Sequence, residues 1–151
     1  MIEKLMVTVH IPCKVHIKKF LIGRYGPNHT MSKKSLLGTI VFHLLDKKCP
    51  KPNIQLDDYK QNYDILVPEF YFNVRGYNIG YKKKHYLALC FEKIFFEDML
   101  QNIELAASEY NTKPIQAMRN FLKKYEITEN DVNFDSIYRQ YQREKKPNKI
   151  N

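Results

Sequence analysis

A chain of 151 residues, 44% hydrophobic and 13% aromatic, has the size of one domain or two small ones and enough apolar material for a core, which excludes a disordered tail. No uncharged apolar run approaches the roughly 20 residues of a membrane helix and no basic-then-apolar leader opens the chain, so the cytoplasm is the expected setting. The net charge of +9 is uneven: Lys and Arg outnumber Asp and Glu ten to two over residues 1–53, trail six to nine over 54–110, and lead nine to five over 111–151. Cations gathered in this way are the electrostatic footprint of a phosphate-rich partner.

From residue 5 to 11 the chain alternates, with Val7, Val9 and Ile11 on one side and Met6, Thr8 and His10 on the other, the period of a half-buried strand. Pro12 is expected to end that strand and to sit in the first turn of a helix, where its missing N–H costs nothing. Residues 13–22 place Cys13, Ile17, Phe20 and Leu21 near one helical face and Lys14, Lys18 and Lys19 away from it, with Gly23 as the expected C-cap. Residues 24–30 are turn-rich and read as an exposed loop. Ser32 is the expected N-cap of a second helix reaching about Lys48, with Leu37, Ile40, Val41, Leu44 and Leu45 as its apolar stripe.

This order of strand, proline, short helix, loop and Ser-capped helix resembles the ribbon-helix-helix family of DNA-binding proteins over residues 4–48. The resemblance is carried by Val7-Thr8-Val9-His10-Ile11-Pro12, by residues 13–22, and by Ser32-Lys33-Lys34-Ser35-Leu36-Leu37. It implies a homodimer whose paired strands enter the major groove of duplex DNA, with Met6, Thr8 and His10 as the outward residues. It also implies that the start of the second helix, at Ser32, Lys33 and Lys34, holds a backbone phosphate. Lys4, Lys14, Lys18 and Lys19 would add electrostatic contacts. The loop between the two helices is longer than is usual in the family, and Met6 offers no strong donor or acceptor.

Residues 48–54 form a Pro- and Lys-rich break and a candidate linker. Residues 63–75 read as extended, with Ile65 and Val67 before Pro68, and Phe70, Phe72 and Val74 after it. Residues 76–80 read as a turn leading to Lys82, Lys83 and Lys84, a basic, tyrosine-rich loop of the kind that can stack on single-stranded bases but is more simply a solvated hairpin tip. One long helix is expected over about 83–110, its apolar positions including Leu87, Phe91, Ile94, Phe95, Leu100, Ile103 and Ala107. Its acidic residues, Glu97 and Asp98 among them, read as a solvated face because helical neighbours point about 100° apart.

Two shorter helices close the chain. Thr112 is the expected cap of the first, with Pro114 in its first turn, and Thr128 and Asp131 have capping-box spacing before the second. Helix, turn and basic helix resemble a helix-turn-helix, which would expose Arg139 and Arg143 to DNA. The stretch Phe134-Asp135-Ser136-Ile137-Tyr138-Arg139-Gln140-Tyr141-Gln142-Arg143 also resembles the ends of small uncharacterised proteins of Bacteroidetes phages and mobile elements.

Catalytic chemistry finds little support. His10, Cys13 and His16 share a three-residue spacing, but it crosses a strand-to-helix junction and lacks a fourth ligand. No phosphate-cradling glycine loop, nucleophile elbow or H-E-x-x-H occurs. Cys13, Cys49 and Cys90 are widely spaced and read as reduced thiols.

The sequence therefore predicts a mostly helical α+β protein: an N-terminal strand, two helices, an extended or hairpin segment, one long helix and two short ones. Residues 1–48 are expected as a DNA-binding-like unit. Residues 49–146 are expected as a mainly helical unit, separate or continuous with the first, and 147–151 as a disordered tail. The expected function is non-enzymatic DNA binding, as a repressor or accessory factor of a phage or mobile element, with duplex DNA as partner and RNA as the alternative. The rival is a structural or protein-interaction module such as a phage assembly component. No cofactor, metal, membrane or small-molecule ligand is expected.

Overall fold

In the computed structural model, which describes residues 5–48 and 59–145, the opening alternation forms strand β1 (Met6–Cys13). Val9, Ile11 and Cys13 are buried and Met6, Thr8 and His10 are exposed, as the period of two requires. There follow α1 (Val15–Tyr25), β2 (His29–Thr30), α2 (Leu36–Leu44), β3 (Gln61–Pro68), α3 (Glu69–Arg75), α4 (Tyr81–Tyr110), α5 (Pro114–Lys124) and α6 (Phe134–Lys145). The architecture is α+β and mostly helical, with one small sheet among the described residues.

The chain divides into two compact units, Met1–Glu92 and Lys93–Asn151, and the division falls inside α4. The sequence pattern places a boundary after residue 48. In the structure β3 lies between β1 and β2, antiparallel to β1 from Met6↔Pro68 to Cys13↔Gln61 and parallel to β2, so both sides of that boundary share one sheet. The expected linker over 48–54, apart from Lys48, and the tail over 147–151 lie outside the described residues, as does Cys49. Cys13 and Cys90 are free thiols.

In the first unit, Val9, Ile11, Cys13, Tyr63, Ile65 and Val67 line the inner face of the sheet and are at most 5% exposed. Ile17, Phe20 and Leu21 of α1 and Leu37 and Val41 of α2 are buried with them, together with Leu87 and Phe91 of α4. Tyr63 lies at the centre of this core. Its ring meets Phe91 edge-on at 6.4 Å, and its hydroxyl donates to the Gly26 carbonyl at 2.8 Å. Burial pushes the Tyr63 hydroxyl up to about 12 and the Cys13 thiol to about 11.

In the second unit the buried residues of α4 are Phe95, Met99 and Ile103, one per turn, whereas Leu100 is half-buried and Ala107 exposed. Ala117, Met118, Phe121 and Leu122 form the buried face of α5, and Ile137 and Tyr141 that of α6. Helix α5 ends with Glu126 at φ 59°, while the Ile127 N–H reaches back to the Leu122 carbonyl, a left-handed cap closed by a buried residue.

Several predicted boundaries move, each for a local reason. Pro12 does not end β1 but lies within it, opposite Asn62. The Leu5 carbonyl accepts from the Glu69 N–H, and the Leu66 carbonyl points away from β1 to the Met31 N–H. Odd residues of β1 therefore bond to β3, and even ones direct their polar groups to the open edge. A proline at an even position loses no ladder bond. Helix α1 continues past Gly23 and is capped by Gly26, at φ 92°, whose N–H bonds the Ile22 carbonyl. Helix α5 is preceded by Lys113, not Thr112, at the cap position. Thr128 and Asp131 do pair, but in a turn; α6 is capped by Asn133, whose Oδ1 accepts from the Ser136 N–H at 2.9 Å.

The extended reading of residues 63–75 holds only to Pro68. Residues 69–75 form a helix that opens on Pro68-Glu69 and closes on Gly76. Gly76 has φ 84° and ψ −173°, a region essentially reserved for glycine, and a Cβ there would lie 2.2 Å from the Asp46 carbonyl oxygen. This close approach accompanies the pairing of Asp46 with Asn78. Gly76→Ala is expected to cost more than the ~1–3 kcal/mol of the backbone conformation alone. Gly26→Ala, whose Cβ would meet nothing nearer than 3.6 Å, should cost only that conformational part. Urea midpoints of the two variants measure the difference.

Candidate nucleic-acid interface

The outward face of the sheet carries Met6, Thr8 and His10 on β1, opposite Pro68, Leu66 and Asp64 on β3. The strand that the ribbon-helix-helix resemblance offers as a dimer ribbon thus pairs along its whole length within its own chain, leaving one open edge. His10 Nδ1 donates to Asp64 Oδ1, placing a carboxylate among the expected base-reading residues. Lys4 lies outside the described residues.

The expected phosphate contacts are dispersed. Lys14 is 2.9 Å from Glu92 on α4, an ion pair that ties the start of α1 to the long helix within the same unit. Lys18 and Lys19 are half-buried along α1, where long stems cover apolar surface. His10 and Cys13 fall on opposite faces of β1, so the spacing of His10, Cys13 and His16 does not converge. No group of three metal-ligating side chains occurs among the described residues.

Ser32 is not the helix cap. Helix α2 starts three residues later, and Ser35 Oγ accepts from the Gly38 N–H at 2.9 Å. Ser32 forms the preceding turn: its Oγ accepts from the Lys34 N–H and its carbonyl from the Ser35 N–H. Gly38 permits this arrangement, because a Cβ there would lie 1.9 Å from the Ser32 carbonyl oxygen. The chain before α2 folds back onto the first helical turn, which leaves Ser35 to cap it. Lys33 and Lys34 therefore sit in an exposed turn, with Lys33 Nζ 4.2 Å from the centre of the Phe42 ring. Arg139 and Arg143 are exposed on α6, in the second unit. The segment between α5 and α6, residues 125–133, exceeds the three or four residues of a helix-turn-helix connection.

The structure adds a group of cations that residue order concealed. Arg75, at the end of α3, donates from Nε to the Phe42 carbonyl at 3.3 Å and from Nη2 to the His43 carbonyl at 3.0 Å. A cation is thereby fixed at the C-terminus of α2, where the helix dipole favours it. Lys47, Lys48 and Lys83 line the same hollow as Arg75. Gly76 and the consecutive lysines are visible in the sequence; what juxtaposes them is the helix at 69–75.

Fold and charge also combine differently from the linear count. Among described residues the first unit holds thirteen Lys and Arg against four Asp and Glu, and the second holds eight against nine. Three of those four carboxylates are engaged: Asp64 with His10, Glu92 with Lys14, and Asp46 with the Lys48 N–H. Comparison with family models, curated proteins and solved structures finds no match to this chain.

Two expectations test the α2 cap. Ser35→Ala should cost about 1 kcal/mol of stability, and Ser32→Ala distinctly less, as measured by thermal or urea unfolding. His29 Nε2 lies 3.1 Å from Ser35 Oγ, and partial burial holds the ring's pKa below its ordinary 6.5. A depressed histidine favours folding while neutral, so this contribution is present above pH 6.5 and is lost as pH falls. His29→Gln should show a shallower fall in melting temperature between about pH 7 and 5.

Proposed function

We propose that this chain is a non-enzymatic DNA-binding protein whose first unit makes the phosphate contacts. The observation that carries the reading is the segregation of charge by unit: among described residues, thirteen cations against four carboxylates in the first and near balance in the second. Duplex DNA carries one negative charge per roughly 1.7 Å of axis, so a surface of this sign releases counterions on contact and binds without reading bases. Any sequence preference is assigned to Thr8 and His10, which face outward from β1. No described helix is long and apolar enough to cross a membrane.

A second reading, a protein-interaction module, has its own support. Helix α3 buries none of its residues and exposes Phe70 by 71% and Val74 by 51%, with Tyr77 exposed just after it. Exposed apolar side chains grouped on one short helix suit a protein partner.

Salt separates the two. Anisotropy of a labelled duplex should show the association constant falling linearly, on logarithmic axes, as salt rises from about 50 to 200 mM. Neutralising Lys18, Lys33 and Lys34 should flatten that slope by about one for each phosphate no longer neutralised. Absence of duplex binding at low salt would sink the DNA reading.

A further inference from the structure

An open hollow of about 340 Å³ in the first unit is lined by Leu45, Asp46, Lys47, Lys48, Val74, Arg75 and Lys83. Three separate segments supply its cations: the chain after α2, the end of α3, and the first turn of α4. Arg75 is held there by two carbonyls, which engage Nε and Nη2 and leave Nη1 for a ligand. The one carboxylate, Asp46, is turned to its own loop: Oδ1 accepts from the Lys48 N–H at 3.0 Å, and its backbone pairs with Asn78. That bond, with Lys83 and Lys48 nearby, holds the Asp46 carboxyl below the usual range, so it stays ionised while it orders the lysine turn.

We propose that this hollow is a phosphate-binding site. Four cations converge on it against one engaged carboxylate, and they are of complementary kinds. Arg75 is a planar donor fixed in direction, suited to phosphate oxygens. Lys47, Lys48 and Lys83 are flexible point charges that close around an anion, and Lys83 stands in the first turn of α4, the positive end of that helix's dipole. Leu45 and Val74 complete the lining. The phosphate could belong to a nucleic-acid backbone or to a free phosphate-bearing molecule. The first source rests on the DNA-binding reading above; the site itself does not.

The test is an amide-detected NMR titration of the full chain with sodium phosphate, against sodium chloride at equal ionic strength. Saturable shifts at the amides of residues 46–48 and 83 and at Arg75 Nε–H, given by phosphate and not chloride, support the site. Shifts that are absent, or spread evenly over lysine-bearing segments, overturn it. A Lys47→Gln/Lys83→Gln variant keeps Arg75 and its carbonyl bonds, and an unchanged melting temperature shows that it folds. It should lose the saturable shifts and lower the salt slope of duplex binding by about two. Lys123→Gln/Lys124→Gln, in the second unit, should do neither.

The two readings can fail separately. Saturable phosphate shifts in a protein that binds no duplex, or a duplex slope unchanged in the lysine variant, keep the site and assign it to a free phosphate compound. Steep duplex binding without saturable phosphate shifts keeps the DNA reading and removes the site.

Discussion

The antiparallel ladder between β1 and β3 is the constraint on which the first unit depends. It joins residues about fifty positions apart, and closing a loop of that length costs roughly 3–4 kcal/mol of chain entropy before any contact forms. Burial offsets it. Tyr63, Ile65 and Val67 on β3 have no exposed surface, and fully burying a large apolar side chain contributes roughly 1.5–3 kcal/mol. Three such residues on alternate positions together exceed that loop-closure cost. The Tyr63 hydroxyl would subtract from this if unpaired, but the Gly26 carbonyl accepts it, and that same bond fixes the end of α1 against the sheet.

Placing β3 at the centre also decides which surfaces are left over. β1 becomes an edge strand with its even residues outward in both senses, side chains on the open face and backbone groups on the open edge. That geometry is what makes Pro12 harmless inside a strand, and what presents Met6, Thr8 and His10 to solvent. It also sets Asp64 beside His10, so the face that β1 alone suggests as neutral to basic is of mixed charge. The cations that converge in the unit belong instead to segments far apart in residue order.

How much was legible followed from whether a pattern reported burial. The alternation of β1 and the spacing of Leu87, Phe91, Phe95 and Ile103 along α4 both reflect sides facing a core, and each is present in the fold. Phe70, Phe72 and Val74 alternate equally well, yet none of α3 is buried, so their alternation carried no information about a face. The better signals there were local ones: Pro68 and Glu69 at a helix start and Gly76 at its end. Choosing between Ser32 and Ser35 was beyond one-dimensional reading, because the Ser32 carbonyl packs against Gly38 closer than a Cβ would allow, a contact no spacing rule contains.

The linear charge count and the division into units cut the chain at different places. Residues 54–110 are an acidic middle between two basic ends. The division inside α4 sends Lys60, Arg75, Lys82, Lys83 and Lys84 to the first unit and Glu97, Asp98, Glu104 and Glu109 to the second. The acidity of that stretch lies beyond the division, with one lysine against four carboxylates over 93–110, while 54–92 balances at five of each and the first unit's excess comes from residues 1–53. The helix at 69–75 completes the rearrangement. As a strand, that segment would have carried Arg75 on past the sheet; as a helix ended by a left-handed glycine, it returns Arg75 to the carbonyls closing α2 and sets it beside Lys47 and Lys83. The local conformation of one glycine therefore fixes where the unit's cations converge, and with them the place where a phosphate would be held.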